Sequence, residues 1–267
     1  MIINFRTFLS IFMISGVLYS INSKKLKCSF TNKVDFGCSC SLYGCFATKL
    51  KIDFEDKPFD RYSGKHDENH ENVDVKHLSI RDSVAHYLPR RLDLLFNLTS
   101  LLVFDSSLLK IESEDFIGLE QLEYLHLGKN FLTSIPNDAF YRLPHLKFIV
   151  LRDNHIKELV SDIFKNNLQL EHIWMYNNHI KYIGQDIFKK LKQLMFVELN
   201  SNRCLSKRYD GIHTMKQLKR DLKKCINKYE PTSKTIKYLK KELKKFKEKK
   251  ESLLQTPKNK CNNKTNN

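Results

Sequence analysis

Residues able to ligate a metal or act as nucleophiles are plentiful in this chain, but their spacing does not assemble a reaction. His66 and His70 stand with Asp67, Glu68 and Glu71 in one short stretch, a donor set that a divalent cation accepts. The order H-E-x-x-H, which would bring two histidines to one helix face, is absent. The charged, glycine-containing surroundings read instead as a solvated loop. Cys38-Ser39-Cys40 lacks the spacing of a zinc ligand pair. No G-x-S-x-G elbow occurs, and with 8 glycines in 267 residues no phosphate-cradling loop is present. The ten histidines are scattered. No catalytic residue, metal site or cofactor is therefore expected, and the chemistry left to the chain is recognition.

The residues suited to recognition recur with a fixed period. Phe148, His172 and Phe196 lie 24 apart, as do His126, Val150, Trp174 and Glu198. Between them runs an apolar frame, L-x-x-L-x-L-x-x-N. It reads Leu122, Leu125, Leu127, Asn130, then Leu146, Ile149, Leu151, Asn154. It returns as Leu170, Ile173, Met175, Asn178 and as Leu194, Val197, Leu199, Asn202. Upstream, Leu98, Leu101, Val103 and Ser106 keep the same spacing, and Val75, Leu78, Ile80 and Ser83 form a looser copy. Phe116, Phe140, Phe164 and Phe188 repeat in phase.

Alternating apolar and free positions mark a short strand with one buried face. A single copy cannot bury that face, but stacked copies can. The asparagine ends each strand where the chain turns inward, and its amide can satisfy backbone groups that a buried turn would orphan. Ser83 and Ser106 have less hydrogen-bonding capacity, so the first two copies are expected to be less regular. This pattern resembles the leucine-rich-repeat family of the 24-residue type common in extracellular proteins. The resemblance implies an α/β solenoid, a horseshoe of about six repeats with a parallel concave sheet, disulfide-stapled caps and a C-terminal helix. It also implies that residues between the leucines point out of the concave sheet. Phe104, Tyr124, His126, Phe148, Arg152, His172, Trp174, Tyr176 and Phe196 are thus the expected protein-binding residues.

The remaining segments read as export, capping and a tail. Residues 1–23 carry Arg6, an apolar run from Phe8 to Tyr19, then Ser20 and Ser23, the pattern of a secretory signal peptide. No later stretch is long and apolar enough for a membrane span, so an extracellular location is expected. Asn97 and Asn263 each begin an Asn-x-Thr glycosylation sequon. Cys28, Cys38, Cys40 and Cys45 lie in an N-terminal cap, residues 24–54, and allow three pairings. Residues 55–74 read as a polar loop and 75–203 as the repeats. Cys204 and Cys225 fall in a C-terminal cap, residues 204–227.

The formal charge of +16 is concentrated at the two ends. Residues 51–203 carry a net −3, whereas 204–227 carry +5 and 228–267 carry +9. In the tail, Ile236, Leu239, Leu243, Phe246 and Leu253 follow alternating three- and four-residue steps with Lys250 as the one interruption, preceded by Pro231 and stopped by Pro257. This is a basic amphipathic heptad segment, 228–256, followed by a disordered tail, 257–267. It can pack on the cap, pair with another chain or contact a polyanion.

Signal, repeats, cysteines and heptads together resemble the leucine-rich-repeat immune proteins of mosquitoes and related insects. That resemblance implies a secreted, non-enzymatic protein-binding scaffold. Its implied partners are a second leucine-rich-repeat chain or a complement-like thioester protein. The competing readings are an extracellular-matrix or glycosaminoglycan binder acting through the basic C-terminal region, and a secreted effector. Nucleic acid is not an expected partner. Because seven cysteines are an odd number, Cys261 is the candidate for an interchain bond. On a non-reducing gel the exported protein should run as a covalent oligomer, and Cys261→Ser should convert it to monomer; a monomer in both lanes removes the interchain bond.

Overall fold

The structure, a computed structural model, describes residues 24–33, 42–52, 59–66 and 70–226, together with Lys241 and Lys244. The chain divides into two compact units, residues 1–226 and 227–267. In the second, the two described lysines are helical. The signal segment, Cys38, Cys40, most of the heptad segment, Cys261 and Asn263 lie outside the described residues.

Every expected L-x-x-L-x-L copy forms a strand. These are β3 (His77–Arg81), β4 (Ser100–Phe104), β5 (Tyr124–His126), β6 (Phe148–Val150), β7 (His172–Trp174) and β8 (Phe196–Glu198). They pair in parallel and in register, so that Phe148 faces Tyr124 on one side and His172 on the other. Two cap strands, β1 (Ser29–Lys33) and β2 (Leu42–Thr48), precede them, and β9 (Arg208–Asp210) follows. Among the described residues these nine strands form one sheet. Its outermost pairings, β1 with β2 and β8 with β9, are antiparallel.

What holds one turn on the next is the asparagine row. The Asn154 amide donates to the Leu127 carbonyl of the preceding turn at 2.9 Å and to Leu151 of its own at 3.1 Å. Its oxygen accepts from the Leu132 N–H of the preceding turn at 3.0 Å. Asn130, Asn178 and Asn202 make the equivalent bonds one period away, to carbonyls 27 residues back and N–H groups that precede them by 22 residues. The residue before each asparagine bends the chain in the left-handed region: Lys129 at φ 51°, Asp153 at 55°, Asn177 at 53° and Ser201 at 55°. For residues with a Cβ this conformation costs roughly 1 kcal/mol each, which the amide bonds formed there offset.

The serine copies are not looser, contrary to the expectation from their side chains. Strands β3 and β4 are five residues long, and β5 to β8 are three. Ser106 Oγ donates to the Phe104 carbonyl at 2.9 Å, and Ser83 Oγ donates to Arg81 at 2.7 Å while accepting from the Leu50 N–H at 3.1 Å. Asn130 supplies the rest by accepting from the Ser106 N–H at 3.1 Å. At Ser106 the hydroxyl suffices because the next turn carries the amide, and at Ser83 the Leu50 N–H completes the set.

The leucine rows and the phenylalanines fill a single core. Phe116, Phe140, Phe164 and Phe188 are buried, with successive ring centroids 6.3, 5.9 and 6.1 Å apart. Asn167, which the repeat pattern did not single out, is fully buried beside them and donates to the Phe140 and Leu143 carbonyls at 2.9 and 2.8 Å.

Disulfides staple both ends. Cys28 bonds to Cys45, which joins the segment entering β1 to β2, and Cys204 bonds to Cys225. Helix α1 (Ile212–Asp221) closes the C-terminal end. There Asp221 accepts from the Tyr209 hydroxyl at 2.8 Å, from Gln217 at 2.7 Å and from Lys207 at 3.2 Å. The Tyr209 bond holds the Asp221 carboxyl below its ordinary range. Within the segment expected to be a polar loop, Phe59–Ser63 is a strand that pairs in parallel with Lys24–Lys27, where each extended backbone satisfies the other.

Truncating Asn154 leaves the buried Leu132 N–H without its partner, at about 1–3 kcal/mol, and takes one of two hydrogen bonds, at about 0.5–1 kcal/mol each, from the Leu127 and Leu151 carbonyls, which still accept from Asn130 and Asn178. Asn154→Ala should therefore lose about 3 kcal/mol in equilibrium urea unfolding, whereas Lys157→Ala on the exposed arc should change stability by under about 0.5 kcal/mol.

Candidate functional site

The parallel register stacks the free positions of β3 to β8 into columns across the concave sheet. The first is a ladder of rings. Tyr124 and Phe148 have centroids 6.3 Å apart, and Phe148 and His172 stack at 4.9 Å. His172 continues to Phe196 at 5.8 Å. Trp174, from the second column, lies 5.6 Å from His172 and 5.1 Å from Phe196. Ring pairs at these distances hold one another's orientation and keep the surface rigid.

The third column contains a feature the repeat alone did not predict. Phe104 and Arg152 are two turns apart, and the residue between them in the column is Gly128. A Cβ there would come within 2.8 Å of the His126 ring and 3.2 Å of the Arg152 side chain. With no side chain in the gap, Arg152 lies over Phe104 at 5.3 Å and over Tyr176 at 5.6 Å. Asp153, which pairs with the Arg152 guanidinium, also accepts from Asn177 at 2.6 Å. Lys129 approaches the Phe104 ring as well, at 5.2 Å. The result is a cation held between two aromatic faces beside the ring ladder. A glycine in phase with large residues was the signal in the sequence.

Seven of the nine expected residues are partly exposed on this face: Phe104, Tyr124, Phe148, Arg152, His172, Trp174 and Tyr176. Two are buried instead. Phe196 is 7 % exposed because Arg208 of the antiparallel cap strand lies over its ring at 4.9 Å. His126 is 5 % exposed, with Phe104 edge-on at 5.1 Å. Both belong to the floor of the site, and the accessible strip runs from Phe104 to Trp174 and Tyr176.

The histidines of the expected loop are placed by the N-terminal cap. The Tyr43 hydroxyl and His66 Nδ1 are 2.9 Å apart, His66 Nε2 is 3.0 Å from Asn72 Oδ1, and His70 stacks on Tyr43 at 4.1 Å. Among the described residues no three His, Cys, Asp or Glu side chains gather as for a metal ion. Among them, too, no helix is long and apolar enough to cross a membrane. At the expected glycosylation sequon, Asn97 Nδ2 donates to the Val73 carbonyl at 3.0 Å.

His126 has its pKa lowered to about 4, first by burial and then by the charges of Arg152 and Arg81. Its Nδ1 accepts the Gly128 N–H at 3.1 Å, so the neutral ring is the one the site requires. The unfolded imidazole takes up its proton near pH 6.5, so this group's stabilisation is complete above that pH and is lost as pH falls towards 4. Asp115 acts in the opposite sense, because burial raises its pKa to about 6. The His126 contribution is thus the difference between the protein and His126→Gln. That difference should shrink by on the order of 3 kcal/mol from pH 7 to pH 4 in urea unfolding, and a flat difference would refute the assignment.

Residues 96–156 and 144–204 match the family model described as leucine rich repeat. No curated protein matches the sequence. Among solved structures, the chain is similar to the crystal structure of the APL1 leucine-rich repeat domain, at 23% identity and a TM-score of 0.54. The match covers 67% of this chain and 43% of that one. It is similar also to the crystal structure of the LRIM1/APL1C complex, at 24% identity and a TM-score of 0.55, covering 66% of this chain and 31% of that one. This chain therefore spans less than half of either match. Stacked 24-residue turns, a parallel concave sheet and stapled ends give it a leucine-rich-repeat fold.

Proposed function

We propose that this protein is a secreted, non-enzymatic recognition scaffold of innate-immune type that binds a protein partner through its concave face. The observation that carries this reading is the Arg152 guanidinium held between Phe104 and Tyr176 and flanked by Phe148, His172 and Trp174. Arginine, tyrosine and tryptophan dominate the energetics of protein interfaces when they sit at the centre of a rigid patch. Mutual stacking fixes their rotamers before a partner arrives, so less conformational entropy is lost on binding. One structure similar in fold is the LRIM1/APL1C complex, which supports a protein as the class of ligand. Export is supported by the apolar leader in the sequence and by two disulfides, which persist in oxidising compartments.

A second reading has its own observation, the net charge of +5 on residues 204–227 and +9 on 228–267. A glycosaminoglycan held there would be released as salt rises, because its binding is driven by counterion release. The concave reading is tested by capture from native extracellular fluid. Trp174→Ala and Arg152→Ala should each weaken retention of a captured protein by about 30-fold at physiological salt, with the melting temperature nearly unchanged. Equal retention by both variants, or loss of all retention at raised salt, overturns the concave assignment.

A further inference from the structure

On the side of the last turn, away from the ring ladder, the C-terminal cap leaves a second recognition surface. The arc carrying Phe188, Leu191 and Leu194 and the flank of α1 enclose a cleft of about 250 Å³. These three residues and Leu218 are buried and form its floor. At its lip Ile212 is 71% exposed, an uncommon state for an isoleucine beside an apolar cleft. Ile212, Met215, Lys216 and Lys219 follow three- and four-residue steps on α1, so a single helix face lines the cleft from end to end.

Both rims are cationic. Lys216 and Lys219 stand on the helix side, and Lys189 and Lys192 on the repeat side. Lys189 reaches Asp186 at 3.1 Å, in a pair exposed on both sides. An apolar floor between two cationic rims, with Lys192 on one and Lys216 and Lys219 on the other facing no carboxylate among the described residues, is complementary to an occupant with an apolar stripe and acidic flanks. A second copy of this cap, at +5, and the chain's own 228–267 segment, at +9, carry the wrong sign. A fatty acid brings a single carboxylate and can neutralise only one rim. We infer that the cleft is a docking groove for an acidic amphipathic helix of another protein, lying alongside α1 with its apolar side chains between the rims and its carboxylates on both lysine rows. This surface is separate from the concave strip, and the inference stands independently of it.

The probe is a fluorescent 18-residue helical peptide with leucines on three- and four-residue steps and glutamates on both flanks, titrated into the full chain at physiological salt. Its affinity should exceed that of a scrambled peptide of the same composition by at least 10-fold. The double variants Ile212→Ser/Met215→Ser and Lys216→Glu/Lys219→Glu should each weaken it at least 10-fold. Lys157→Glu/Lys181→Glu, with the same change in net charge on exposed positions elsewhere, should change it less than 2-fold, as should Trp174→Ala. Ile212 is exposed but Met215 packs partly on the core, so a melting curve accompanies the first variant, and where it shifts the lysine variant decides. Equal binding of the scrambled peptide, or an equal loss in the control double variant, would mean unspecific attraction and overturn the groove. Displacement by decanoate with the same dependence on the groove variants would make it a lipid site and overturn the helix.

Discussion

Four of the six turns of this protein depend on an asparagine amide that reaches into the turn before it. An asparagine side chain offers donors and an acceptor within one planar group, and here it spends them on a carbonyl 27 residues back and an N–H 22 residues back. Those two bonds set the offset between turns, and the strand register follows from that offset. With the register set, the leucines of successive turns meet and the rings of the concave columns align. The left-handed bend before each asparagine is tolerated because the amide satisfies the backbone groups exposed by it. The core and the concave face thus follow from one hydrogen-bonding unit repeated in phase.

Stacking at this register has a local effect on the concave face. Rings one period apart approach to 5–6 Å, so they order each other without help from the core. Where one position in a column is glycine, the neighbours close over the gap. Gly128 lets Arg152 reach back across a whole turn to Phe104, and the same closure buries His126 and strips it of charge near neutral pH. The site therefore presents a pinned cation over a floor that remains uncharged.

The fold was legible in the sequence because its determinants are periodic. Leucine spacing, the asparagines and the phenylalanine row each identify the strands, and all six expected strands formed. Burial within the columns was less legible. Phe196 is covered by Arg208, which lies on a strand outside the period, and His126 is covered through the absence of a side chain at Gly128. Both effects are contacts between positions, which a column of single letters does not display. Ser106 shows the same limitation from the other side: residue chemistry suggested weakness, whereas the Asn130 amide of the next turn supplied what the hydroxyl lacked. Likewise, the cleft beside α1 joins residues from a repeat and a cap, and no single motif contains it.

The antiparallel strands at the two margins of the sheet give the molecule a direction of growth. Parallel stacking by itself has no natural end, since every turn offers its neighbour the template that it received. At β1 and β9 the chain reverses, and the margin no longer matches the next copy. The interior keeps full translational symmetry, because each amide asks only for main-chain groups at a constant offset. A duplicated 24-residue block inserted between Leu122 and Asn202 would find all its partners in place, whereas one appended beyond either margin would find none. Evolution can lengthen such a ruler from the middle and so add a new row of side chains to the concave face while both ends stay sealed.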